Sequence, residues 1–406
     1  MNKSKKQFQG RDYLTYSAFG AYSACTVALP LVLVELFKNI DFPLDTGNRG
    51  AAGFLQMALS IFMVFSMLAC GFCAGKLGKA RSLALAGILT GVGMTAMVFC
   101  GNYISILIAL VLSGIGQGFL EGLLAPYVED CHPDETTGYL NIAQAFAPCG
   151  MLFMVILTAG AAYLEIPWEI PVLLAGIIAI ISGILYLFPF AATPGDRKSS
   201  PLSLHKMLQQ TAGVLKRSRF WAFFAAMLFE GIGEFCITFW IASYLILEYN
   251  VSAVISSFAL GAWTFFMFLG RMFFGHLIKQ QYLRQVLLWL TGITILISLL
   301  FPAATLLPQT LAIVSIFVIL AIAGMCVAPF WASIQTYCTE CIPEEDSTMI
   351  FILLSCAGIP GCGIAAWLVG ILGDWIGMTP AFFLVPVSYG MILLILSLQK
   401  KSAADK

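Results

Sequence analysis

Gly71-Phe72-Cys73-Ala74-Gly75-Lys76-Leu77-Gly78-Lys79-Ala80-Arg81 separates two apolar runs, at about 51–71 and 82–100. Each run matches the ~20 residues a helix needs to cross a ~30 Å hydrocarbon core. The stretch between them is short, glycine-spaced and basic, as befits a tight turn at a membrane surface. Working outward from this turn by the same length rule gives twelve spans. The first six lie at about 14–37, 51–71, 82–100, 103–128, 139–163 and 170–190. The others lie at about 220–246, 254–274, 286–304, 310–338, 350–373 and 381–399. Backbone groups in lipid must pair within their own segment, so the spans are read as helices. The first run exceeds a signal-peptide core and is read as a retained span.

Composition agrees. Of 406 residues, 60% are hydrophobic and 10% charged, against roughly 25% charged in a soluble domain. The net charge is zero, which gives no ground for nucleic-acid binding. Lys and Arg are distributed unevenly over the loops. Nineteen of the 21 fall on the side that holds both termini; Lys38 and Arg49 fall on the other. Because cytoplasmic loops are enriched in Lys and Arg, the termini are expected to be cytoplasmic.

The chain divides evenly. Ala191 to Arg219 is its longest internal polar stretch and contains Pro194-Gly195-Asp196-Arg197-Lys198-Ser199-Ser200-Pro201, a linker composition. Residues 202–214 read as a cytoplasmic amphipathic helix. We therefore expect a bundle over 1–190, a linker over 191–219 and a bundle over 220–406. The halves share local patterns. Tyr127-Val128-Glu129-Asp130-Cys131-His132-Pro133-Asp134-Glu135 parallels Tyr337-Cys338-Thr339-Glu340-Cys341-Ile342-Pro343-Glu344-Glu345. Gly75-Lys76-Leu77-Gly78-Lys79 parallels Gly275-His276-Leu277-Ile278-Lys279. Two similar bundles suit a transporter that rocks about a central site.

With its glycines and basic residues, the stretch Gly71 to Arg81 resembles the signature loop of the major facilitator superfamily. That family usually has Asp where this chain has Gly75. The resemblance implies an all-α membrane protein of twelve transmembrane helices in two pseudo-symmetric six-helix bundles. It also implies a gating role for Gly71, Gly75, Gly78, Lys79 and Arg81, and for Arg271 after span 8. A narrower resemblance, to the fucose:proton symporter branch, rests on Gly116-Gln117-Gly118-Phe119-Leu120-Glu121, Ala125-Pro126-Tyr127-Val128, Leu140-Asn141-Ile142-Ala143-Gln144-Ala145-Phe146, and Gly270-Arg271 with Gly275. It implies proton coupling at Glu121. The branch carries a second acid four residues before a Pro in span 1; here Thr26 precedes Pro30 at that spacing. The family setting implies a bacterial inner membrane and a monomer.

Ionisable residues inside a membrane cost ~2.5–3.5 kcal/mol for Asp on insertion scales, and they mark working or wet positions. Three acids lie well inside spans: Glu121, Glu230 and Glu234. Glu35 lies near the end of span 1, at the interface. Glu230 and Glu234 are one helical turn apart on one face. Two carboxylates so close and away from water do not both ionise easily, which suits a proton carrier. A bound sodium ion is a rival, since hard cations take carboxylate oxygens; a polar contact lining a wet cavity is the plainer alternative. The amides Gln56, Gln117, Asn141, Gln144 and Gln335, with Trp240, Trp263 and Trp331, are candidates to line a solute cavity. Each has a structural alternative, as a helix–helix hydrogen bond or as packing.

Other motifs carry less. Cys70 with Cys73 and Cys338 with Cys341 have CxxC spacing, but Cys is frequent throughout the chain and no paired His spacing accompanies it, so no metal is expected. Asn250-Val251-Ser252 is a short sequon match. The histidines, His132, His205 and His276, lie in three separate loops, and no Walker-type loop is present. An enzyme or an ATP-driven pump is thus disfavoured, and no cofactor is expected. The reading is a secondary active importer of a small organic solute, sugar among the candidates, working by proton-coupled alternating access. A proton-coupled exporter and an uncoupled facilitator are the alternatives within transport.

Overall fold

The computed structural model describes residues 8–39, 48–133, 136–193, 204–277 and 280–399. The first six helices are α1 (Gly10–Asn39), α2 (Asn48–Leu77), α3 (Lys79–Val98), α4 (Tyr103–Cys131), α5 (Thr136–Tyr163) and α6 (Glu169–Leu185). An amphipathic helix, α7 (Leu204–Lys216), follows where the linker pattern placed one. The second set is α8 (Ser218–Tyr249), α9 (Ala253–Leu277), α10 (Leu283–Ala304), α11 (Gln309–Val327), α12 (Phe330–Cys341), α13 (Ser347–Ile376), α14 (Met378–Ala381) and α15 (Leu384–Leu398). Among the described residues, eleven segments are long and apolar enough to span a membrane, and the 17-residue α6 makes the twelfth.

Two spans are interrupted. The tenth breaks between α11 and α12 at Ala328-Pro329, where proline cannot donate a helical hydrogen bond. The twelfth breaks at Phe382-Phe383, between α14 and α15. Pro30, Pro126, Pro148, Pro302 and Pro360 lie inside continuous helices, where packed neighbours re-satisfy the freed backbone groups. The signature loop contracts to one residue. Gly71 and Gly75 belong to α2, Lys79 and Arg81 to α3, and Gly78 alone turns the chain, at φ 86°. That conformation is open to glycine and strained for other residues.

Helix pairing repeats between the halves. In the first, α2 and α3 pack on α4, α3 on α6, and α1 on α5 and α6. In the second, α9 and α10 pack on α11, α10 on α15, and α8 on α13 and α15. Each pair recurs six spans later, which is the pseudo-symmetry of two six-helix bundles. Small residues permit the tightest approaches. At Gly150 of α5, an added Cβ would enter the Gly20 carbonyl of α1. Large apolar side chains such as Phe65, Ile108, Trp289 and Leu296 point outward and exposed, as a lipid-facing surface requires.

The bundles meet chiefly along α2 with α13 and α5 with α9. On the face away from the termini, Arg49 of α2 donates to Glu248 of α8 (3.2 Å) and to the Gly373 carbonyl of α13 (3.0 Å). Beside it, the Gly50 N–H donates to Asp374 of α13 (2.9 Å). A Cβ at Gly53 would run into the Ala366 backbone. On the terminus side the contacts do not cross between bundles: Lys79 pairs with Asp130 (2.8 Å), the His132 ring hydrogen-bonds Asp12 (2.6 Å), and Arg217, at the end of the linker, pairs with Glu345 of the second half (2.7 Å). The Arg217 guanidinium is pushed above its usual range, first by its hydrogen bond to Glu345.

Candidate functional site

The three intramembrane acids converge at the junction of the bundles. α8 supplies Glu230 and Glu234. Close packing of α8 sets its face: a Cβ on Gly231 would enter the Gly358 carbonyl of α13, and one on Gly233 would lie 2.7 Å from the Tyr389 ring of α15. Two glycines thus bring α13 and α15 against the carboxylates. Cys362 of α13 and Tyr389 of α15 are electrostatic neighbours of both acids. Glu230 is fully buried, and neither of its oxygens meets a well-oriented hydrogen-bond partner. Its foremost interacting neighbour is the Glu234 carboxyl. Glu234 is half-buried.

α4 supplies Glu121, which is half-buried. Tyr22 of α1 is the electrostatic neighbour of its carboxyl, and Cys362 is the other close neighbour of Tyr22. The result is one polar chain across the two halves: Glu121, Tyr22, Cys362, then Glu234 and Glu230 with Tyr389. Arg271 joins it. It lies in α9 rather than in a loop, because that helix continues to Leu277. From there it acts on both Glu121 and Glu230. Placing Arg271 after span 8 had left the acids without a nearby cation; α9 supplies one.

One turn of α1 above Tyr22, Thr26 takes the place of the second acid. Its hydroxyl lies 3.1 Å from the Tyr22 carbonyl and 3.3 Å from Gln117 Oε1, so one proton serves two acceptors. Gln117 is fully buried and donates to Ser113 Oγ (3.0 Å). This tie joins α1 to α4 and holds Tyr22 beside Glu121.

The remaining candidates separate by position. Trp240 is enclosed, its indole N–H donating to the Ala366 carbonyl (2.9 Å), and Trp263 is enclosed, donating to Thr238 (3.0 Å). Both fill space in this conformation. Gln335 ties α12 to α13 through Ser355 Oγ (3.1 Å). Gln56 is buried, with its Oε1 lacking a partner. Trp331 is half-buried over Gly358, a turn from the Glu230 contact. Gln144 is exposed, and the Asn141 side chain lies outside the described residues. Tyr22, Cys362 and Tyr389 were missed in the sequence. Tyr22 alone carried a signal, standing four residues before Thr26 and so on its face.

Comparison with known proteins agrees with this architecture. The chain superimposes on a partially occluded, inward-open structure of the xylose transporter XylE from E. coli with a TM-score of 0.70, at 12% identity over 96% of this chain and 99% of that one. A crystal structure of a D-xylose-proton symporter gives 0.72, at 12% identity over 95% and 96%. At that identity the likeness is one of fold. Among curated proteins, the monosaccharide-sensing protein 2 of Arabidopsis thaliana is 30% identical over 120 residues, 29% of this chain and 16% of that protein. Residues 14–362 match the model of the Major Facilitator Superfamily; the chain belongs to this family of membrane transporters.

Proposed function

We propose that this protein is a secondary active transporter that imports a small polar solute, of the monosaccharide class, by alternating access with proton coupling. The observation that carries the reading is the polar chain running from Glu121 to Glu234 and Glu230 across the junction of the halves. A carboxyl buried beside a second one, as Glu230 is, has charged and neutral forms that differ in their solvation free energy. If that difference changes as the halves move, protonation biases the equilibrium between the two states. The sugar class is supported by the names of the xylose transporters and the monosaccharide-sensing protein, and by Gln117 and the half-buried Trp331 near the acids. The finer assignment to the fucose:proton symporter branch rests on the stretches of spans 4 and 5 and on Gly270-Arg271 with Gly275.

The termini are placed in the cytoplasm by the excess of Lys and Arg on their side. The Arg49 contacts then close the outer face, and the protein stands in an inward-facing or occluded state. Residues 1–190 and 220–406 move as the two bundles, joined by 191–219. Glu121, Glu230 and Glu234 carry the proton; Arg271 competes with it electrostatically. Of the solute-lining candidates, Trp331, Gln144 and Gln117 keep the best access or the nearest place to the acids.

The test is uptake of a labelled monosaccharide panel into proteoliposomes, with and without an inward proton gradient. Accumulation of one sugar that depends on the gradient is expected, and Glu121→Gln or Glu234→Gln is expected to reduce it to equilibration. Gradient-driven accumulation that persists in both variants would remove the acids from the mechanism. Uptake of no sugar would remove the substrate class.

A further inference from the structure

A cavity of about 10 Å³ lies inside the first bundle, among α1, α3, α4 and α6. One water needs on the order of 10–15 Å³. The walls are mostly apolar, with Ala18, Ala21 and Leu120 among them, but three hydroxyl-bearing residues line the space: Tyr22, Ser182 and Tyr186. Ser182 Oγ and Tyr186 Oη are sealed from solvent and lack a hydrogen-bond partner of good geometry. Buried polar groups left so are rare, and a buried water with about three polar partners is the usual remedy.

The position gives this site a further property. Tyr22 both lines the cavity and is the electrostatic neighbour of Glu121. On the other side, the Tyr186 phenol has the Thr15 hydroxyl as a neighbour, and Thr15 stands one turn of α1 from Asp12. Asp12 bonds His132 (2.6 Å) at the terminus end of the bundle. The groups facing these are Arg271 near Glu121, and Arg11, Tyr16 and Cys131 near Asp12.

We propose that this cavity holds one water that relays the Glu121 proton through Tyr22 to Ser182 and Tyr186, and on to the Asp12–His132 end of the first bundle. The transfer is a chain of proton hops. The Glu121 carboxyl gives its proton to Tyr22 Oη as Tyr22 gives its own to the water. The water passes one to Tyr186, directly or by way of Ser182, and Tyr186 passes its own to Thr15, whose hydroxyl turns from the Arg11 carbonyl (2.9 Å) to release one toward Asp12 and bulk water. Each oxygen between the ends finishes with the protons it began with, and no electron changes hands. The proton thereby has a route to the terminus side that does not share the solute cavity. This inference rests on Glu121 being a proton carrier.

The test is infrared difference spectroscopy of the full chain in liposomes after an alkaline pH jump. A band of a protonated carboxyl that vanishes in Glu121→Gln identifies the group. In Tyr186→Phe, which removes one oxygen and keeps the ring, decay of that band is expected to slow roughly tenfold or more. Ala179→Val, which fills the cavity without touching a hydroxyl, is expected to slow it likewise. An assigned band that decays at the unchanged rate in both variants would overturn the relay and leave Glu121 as carrier. The absence of any Glu121-dependent band would overturn the carrier reading and the relay together.

Discussion

The two faces of the molecule are held by different means. On the face away from the termini, Arg49 of the first bundle grips Glu248 and the Gly373 carbonyl of the second, and Asp374 returns a contact to the Gly50 N–H. On the terminus face, Lys79 is paired with Asp130 and His132 with Asp12 inside the first half, and Arg217 joins the end of the linker to Glu345 of the second. Bonds within a half stiffen a moving body; bonds between halves fix where the bodies stand. The difference teaches that the state seen here is defined at one face, by few residues, and that breaking those residues shifts the state rather than the fold.

The largest effect is expected from Gly53→Leu. A side chain there meets the Ala366 backbone, and overpacking of this kind costs ~1–3 kcal/mol. The closed far face should become disfavoured by about tenfold to a hundredfold. The measurement is the alkylation rate of Cys362 by an impermeant thiol reagent added to the far side, read by peptide mass spectrometry. Cys362 lies within the central polar chain, so it reports access to the site. Unchanged labelling would break the claim that this face is closed by the α2–α13 contact.

A smaller shift is expected from Arg49→Ala. It removes one ion pair and one charged hydrogen bond to a carbonyl, but both side chains are partly exposed, 25% for Arg49 and 35% for Glu248. About 1–2 kcal/mol is the appropriate scale, or roughly tenfold faster far-side labelling. High salt should reproduce part of this effect in the unaltered protein, since exposed charges are screened.

The weakest effect is expected from Lys79→Ala. Its ion pair with Asp130 is confined to the first half and is worth about 1 kcal/mol or less. The melting temperature should fall slightly while the sidedness of Cys362 labelling stays the same. If Lys79→Ala moved the labelling as far as Arg49→Ala, the division between stiffening and positioning bonds would fail. Arg217→Ala should behave in the same way as Lys79→Ala, with a smaller change, because that pair is more open to water on the Arg side (47%).

Much of the site was legible because charge is costly in lipid. Glu121, Glu230 and Glu234 stood out in the sequence, and the structure places them together. Their partners did not stand out. A Tyr in an apolar span, such as Tyr22 or Tyr389, is as consistent with packing as with proton chemistry, and Cys362 is one thiol of twelve. Trp240 and Trp263 show the reverse. As large polar-tipped rings they were candidates for solute contact, yet their N–H groups are spent on Ala366 and Thr238. Arg271 was counted with the basic loop after span 8; it stands within α9, which continues to Leu277.

The sequence by itself determined the number and place of the spans, the division into two similar halves and the positions of the buried acids. Each of these follows from local chemistry: the length of an apolar run, the burden of a charge in lipid, the recurrence of a pattern. Tertiary structure alone decided which residues from distant spans meet. Glycines 231 and 233 draw α13 and α15 onto the acids, Tyr22 bridges to Glu121, and Arg49 joins the halves at one face. Those contacts depend on helix rotation and crossing, which are set by close packing between segments far apart in the chain, and no local pattern encodes them.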